Sequence, residues 1–164
     1  MDKLRLESYP CPIDEGTIRY HIFISDRNFI DIVRDVELPF AEKEGHPEMA
    51  GGYIGFSSWY LKECFNSFIE DGKMDILNCG GCGNEGCWPL VAEITTKGKT
   101  LVWSNFFNPH REPDSKVGHW DHVNLGPFVF DKEQYVTEFA RVLKDLGAEI
   151  VPGSRRFNVY NDLE

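Results

Sequence analysis

Apolar and polar residues alternate along residues 17–25 (TIRYHIFIS), and several of the apolar positions are β-branched or aromatic, which predicts a strand. Asp26-Arg27-Asn28 reads as a turn. Beyond it Phe29, Val33, Val36 and Phe40 recur at helical spacing, so residues 28–38 read as a helix that Pro39 ends or kinks. A second helix follows Ser57 or Ser58 as cap, with Leu61, Phe65, Phe68 and Ile69 on one face and Gly72 just past its end. Cys64 falls beside that stripe and reads as a small buried residue.

Residues 74–78 predict a short strand. Residues 89–96 and 100–106 predict a hairpin turning at Lys97-Gly98-Lys99. Residues 108–125 form a long polar segment without periodicity, and residues 126–130 form another short strand. The last helix is the best specified. Asp131 is its cap, Gln134 completes a capping box, Phe130 and Tyr135 form a hydrophobic staple, and Gly147 stops it. Tyr135, Phe139, Val142, Leu143 and Leu146 make its apolar stripe, and residues 155–160 read as a final strand. The sum is one α+β domain over residues 1–164: a single, mostly antiparallel sheet with two or three helices packed on it.

Composition adds constraints. At 164 residues, 41% hydrophobic and 13% aromatic, the chain can build a core without staples. The formal charge of −10 disfavours nucleic acid and anionic membranes as partners and is compatible with a basic protein partner. Residues 26–48 hold seven acids against three bases, which reads as a solvated outer face. The first residues carry no apolar run of a secretion signal, and no apolar stretch approaches a membrane span. Five cysteines, an odd number with three close together, argue for a reducing, cytoplasmic setting rather than a disulfide framework.

Those three carry the most distinctive chemistry. Cys79-Gly80-Gly81-Cys82-Gly83-Asn84-Glu85-Gly86-Cys87 is C-x2-C-x4-C with four interleaved glycines. A C-x2-C turn brings two thiolates to one ion, and glycine lets main-chain N–H groups face the sulfurs. Cys79, Cys82 and Cys87 are therefore candidate ligands of a structural zinc. His110, just beyond the hairpin that leaves the cluster, is the candidate fourth, with His119 and His122 as alternatives. The competing reading is a tight glycine turn that sets Trp88 and Pro89 into the core. His119-Trp120-Asp121-His122 also offers a carboxylate–histidine pair, Asp121 with His122, of the kind that orients an imidazole for acid–base work. Arg111 reads as a loop anchor or an anion ligand.

The pattern Cys79, Cys82-Gly83, Gly86-Cys87-Trp88-Pro89-Leu90, then Pro109-His110-Arg111, then Leu125-Gly126-Pro127-Phe128 with Phe130-Asp131, resembles a family of uncharacterised bacterial proteins over most of residues 18–140. The resemblance implies a bacterial cytoplasmic origin and no particular activity. Three functions remain open at this point. The first is a small binding domain with a structural zinc. The second is an acidic, immunity- or antitoxin-like interaction domain. The third is a metal- or thiol-dependent hydrolase.

Overall fold

In the computed structural model, residues 1–84 and 86–147 are described; the strand expected over 155–160 lies outside them. The chain runs β1 (Leu4–Pro10), β2 (Ile18–Ile24), β3 (Arg27–Asn28), α1 (Phe29–Lys43), β4 (Tyr53–Ile54), α2 (Ser58–Cys64), β5 (Gly72–Cys79), β6 (Leu90–Lys97), β7 (Thr100–Phe107), β8 (Phe128–Asp131) and α3 (Lys132–Asp145). All named strand pairs are antiparallel, and the class is α+β. The strands divide into two sheets where one was expected: β1-β2-β3 and β4-β5-β6-β7-β8. Main-chain bridges stitch these together at Asp2–Phe130 and Arg19–Ser57. At the second junction Tyr20 N–H donates to Phe56 O at 3.1 Å. A Cβ on Gly55 would lie 1.8 Å from Tyr20 O, so only glycine permits that approach.

The strand β1 was not anticipated, because its one clear alternation is Leu4 and Leu6 before polar residues. It is held on one side by β2 and on the other by side chains of α3. Gln134 accepts from Leu4 N–H at 3.1 Å and donates to Leu4 O at 2.7 Å. Glu138 accepts from Leu6 N–H, and Arg141 donates to Leu6 O. Side chains spaced three and four residues apart on one helix face thus take the place of a neighbouring strand and cover an exposed edge. This explains one departure from expectation: Gln134 serves β1 rather than a capping box. Asp131 still caps α3 through Glu133 N–H at 3.1 Å, and Phe130 meets Tyr135 at 5.3 Å between ring centroids.

The helix α1 continues past Pro39 to Lys43. Pro39 is exposed, so its ring faces water, while Ala41 on the opposite side packs with Ala50 and Trp120. The buried stripe of α1 is Phe29, Val33, Glu37 and Ala41, which puts a carboxylate inside. The main core joins both sheets and all three helices through Leu4, Ile22, Phe29, Leu61, Trp103, Phe130 and Phe139, with Phe56, Phe68 and Tyr135 packed among them. Trp103 Nε1 donates to the Tyr135 hydroxyl, which donates to Phe68 O, so the polar atoms of these rings are satisfied in the core.

Candidate metal centre

β5 ends at Cys79, where Tyr53 of β4 is its cross-strand partner. The chain then turns sharply. Gly80 N–H donates to Gly52 O at 3.0 Å, and Gly83 N–H donates to Cys79 O at 2.8 Å, closing the C-x2-C turn. Gly83 has φ +72° and is fixed from below by Arg19, whose guanidinium donates to Gly83 O at 2.9 Å and Gly55 O at 2.8 Å. Arg19 is buried, so the turn rests on a rigid cationic support.

The outcome is a convergence of three sulfurs. The Sγ atoms of Cys79, Cys82 and Cys87 all lie within 4.8 Å of one another. Tetrahedral zinc with bonds of about 2.3 Å separates its sulfurs by about 3.8 Å, so a small contraction of this triangle fits the ion. No disulfide links any of the five cysteines. Cys82 and Cys87 are exposed, Cys79 is half-buried, and Cys11 and Cys64 are buried elsewhere. Burial opposes ionisation of Cys79. The main-chain N–H groups of Cys82 and Gly81, with the neighbouring thiols, outweigh it and hold its pKa below that of an ordinary thiol. The Cys87 thiol is pushed the other way, to about 11, first by its hydrogen bond with Cys82 and then by burial and Cys79. Cys79 therefore ionises more readily than Cys87.

His110 is not in the convergent set. Its Nε2 donates to Cys87 O at 2.8 Å, and its ring lies flat on Trp88, with centroids 4.5 Å apart and planes 2° apart. It touches the cluster through the main chain. Arg111 is a loop anchor: its guanidinium is buried between Trp120 (4.0 Å) and Trp88 (5.6 Å), pairs with Glu44, and donates to Val117 O at 2.7 Å. Trp88 is half-buried against the core, so the turn also seats a core residue.

His119 is exposed and lies away from the sulfurs' set. His122 does pair with a carboxylate, but the partner is Glu37 of α1, at 2.8 Å, rather than Asp121. Asp121 instead accepts from Val123 N–H, which fixes the loop and turns its carboxylate outward. Glu37 also accepts from the Tyr53 hydroxyl at 2.7 Å and from Gly51 N–H at 2.9 Å. Asn108 donates to the same hydroxyl and accepts from His110 N–H. A hydrogen-bonded path therefore runs from His122 through Glu37, Tyr53 and Asn108 to the main-chain N–H of His110, whose ring separately meets Cys87 O. Glu37 escaped sequence reading because an acid in an acidic stretch reads as surface. Its signal was position: it stands four residues after Val33 on the apolar stripe.

No helix among the described residues is long and apolar enough to cross a membrane. Comparison with known protein families, curated proteins and solved structures returns no match.

Proposed function

We propose that the protein is a metal-binding domain in which Cys79, Cys82 and Cys87 hold one zinc ion as a structural clip. The carrying observation is the triangle of sulfurs within 4.8 Å on a turn already closed by Gly83 N–H and Arg19. Zinc is the default among thiophilic ions because thiolate and imidazole are its usual structural ligands. The ion would join the end of β5 to the start of β6 across nine residues of glycine-rich chain, Cys79 to Cys87.

His110 is the fourth donor in this proposal. Its Nε2–H already rests on the Cys87 carbonyl, which leaves Nδ1 as the ring's lone-pair atom. A metal-bound imidazole commonly donates its other N–H to a carbonyl in this way. Ligation requires the turn after β7 to move toward the sulfurs. The exposure of His110 and of two of the three cysteines leaves room for that motion.

The test is elemental analysis of protein purified without chelator, followed by stoichiometric release with a thiol reagent. The expected result is one zinc per chain, lost when any one of the three cysteines becomes serine. Less than about one-tenth equivalent of bound metal after zinc loading, with folding unchanged by chelator, rejects the proposal.

A further inference from the structure

A closed zinc site needs four donors, and among the described residues no histidine, carboxylate or further cysteine joins Cys79, Cys82 and Cys87 within 4.8 Å. His110 is held off by contacts of its own. Its ring lies flat on Trp88 with centroids 4.5 Å apart, and Nε2 donates to Cys87 O at 2.8 Å. Asn108 fixes the same stretch by accepting from His110 N–H at 2.9 Å. As folded, the cluster offers three sulfurs and no fourth ligand.

Those sulfurs are both accessible and positioned. All three are free thiols, Cys82 and Cys87 are exposed, and Cys79 is half-buried, so a small solute reaches them without any opening of the fold. The turn is closed by Gly83 N–H on Cys79 O at 2.8 Å and by Cys87 N–H on Asn84 O at 3.3 Å. Arg19 holds Gly83 O from beneath. A turn already closed in this way gives up little further freedom when its sulfurs are joined.

Charge narrows the choice of centre. Three thiolates leave one negative charge on zinc, two on monovalent copper and none on trivalent arsenic. In a chain of formal charge −10, the neutral product alone adds no repulsion. Trivalent arsenic also carries a lone pair where zinc carries its fourth ligand. Its bonds to sulfur are close in length to the zinc–sulfur bond of about 2.3 Å, so a similar small contraction of the triangle accommodates it.

We infer that Cys79, Cys82 and Cys87 form a receptor site for trivalent arsenic, taken up as arsenous acid and held by three arsenic–sulfur bonds with no part for His110. The inference rests on the metal-centre reading of the three cysteines and departs from it at the fourth donor. In each exchange a thiol sulfur bonds to arsenic, one arsenic–oxygen bond breaks, and the hydroxide leaves as water with the thiol proton. Three exchanges release three waters. Arsenic stays trivalent and the sulfurs stay reduced, so no oxidant or reductant takes part.

Sodium arsenite is the probe, added to the reduced, chelator-treated full chain and read by intact-mass spectrometry. The expected product is a one-to-one adduct that has gained one arsenic and lost three hydrogens. Cys79→Ser, Cys82→Ser and Cys87→Ser should each weaken arsenite at least about tenfold. Phenylarsine oxide needs only two thiols, so it should still label each variant and show that the remaining pair is in place. His110→Ala should leave arsenite affinity unchanged and weaken zinc at least about tenfold. No adduct at micromolar arsenite, an adduct that keeps a hydroxyl on arsenic, or loss of arsenite binding in His110→Ala overturns the inference. Zinc binding without arsenite binding overturns this inference alone, and arsenite binding without zinc binding supports it while rejecting the zinc clip.

Discussion

His122 Nε2 lies 2.8 Å from Oε2 of Glu37, eighty-five residues earlier in the chain, and both side chains are 1% exposed. The pair ties the irregular 108–125 segment to the first helix. Removing the carboxylate strands three donors at once: the imidazole N–H, the Tyr53 hydroxyl and Gly51 N–H. Glu37→Ala should therefore cost about 3 kcal/mol or more, since each buried donor left unsatisfied costs about 1–3 kcal/mol. Glu37→Gln keeps the shape and one acceptor oxygen, and should cost about 2 kcal/mol. Urea unfolding monitored by circular dichroism measures both. A loss below about 1 kcal/mol for the alanine variant would show that water replaces the carboxylate with little penalty.

The thiol triangle makes an inverted prediction about reactivity. Cys87 is exposed, and exposure alone would make it an easy target for alkylation. Its pKa near 11 keeps it protonated at neutral pH, whereas Cys79 is less exposed but ionises more readily. In chelator-treated protein at pH 8, iodoacetamide should modify Cys79 before Cys87, and the Cys87 rate should keep rising as pH approaches 11. Peptide mapping by mass spectrometry reads the order. Zinc should then protect all three sites together, since a single ion engages all three thiolates. Protection of one or two alone would contradict a shared ion.

The sequence makes these two regions legible to different degrees. Three cysteines at C-x2-C-x4-C spacing make convergence on one ion one of two local readings, beside a glycine turn that seats Trp88, and the folded turn brings the sulfurs together while seating Trp88 as well. The helix stripes, the β6–β7 hairpin and the Phe130–Tyr135 staple are equally local and follow from periodicity. Glu37 with His122 is of another kind. Its partners come from α1, β4 and two loops, and only the assembled fold puts them within reach. The same holds for β1, whose outer edge is satisfied by Gln134, Glu138 and Arg141 some 130 residues later. Nothing in Leu4–Pro10 records that support, and a capping-box reading of Gln134 points elsewhere. Division into two sheets was hidden for a related reason: Asp2 and Ser57 join them through single bridges that carry no pattern.

The core predicts its own alkaline limit. Burial raises the pKa of Tyr135 far above that of a free phenol, only partly offset by the Trp103 N–H. Burial also raises Tyr53, and the adjacent Glu37 carboxylate adds to the effect. A raised folded-state pKa gives stability that is complete below the unfolded value near 10 and is lost as pH climbs beyond it. Each tyrosine should remove about 1.4 kcal/mol per pH unit above that point. Tyrosinate absorbance should accordingly show these two rings ionising only as the circular dichroism signal collapses. Full titration of all tyrosines with native dichroism retained would contradict the burial of both hydroxyls.

Two glycines of the thiol turn separate backbone strain from crowding. Gly83 and Gly86 both have positive φ, +72° and +78°. A Cβ on Gly86 meets nothing within 4 Å, so Gly86→Ala carries only the conformational penalty, about 1–2 kcal/mol. A Cβ on Gly83 would sit 2.6 Å from the Arg19 guanidinium and 2.9 Å from Ile13 Cδ1. Arg19 is buried and holds two carbonyls, so it cannot retreat without breaking its bond to Gly83 O. Gly83→Ala should therefore add the loss of that support to the same strain, and weaken zinc about tenfold more than Gly86→Ala does. Competition with a chromophoric chelator compares the two affinities, and urea unfolding compares the two stabilities. Equal effects in both assays would mean that Arg19 does not position the turn.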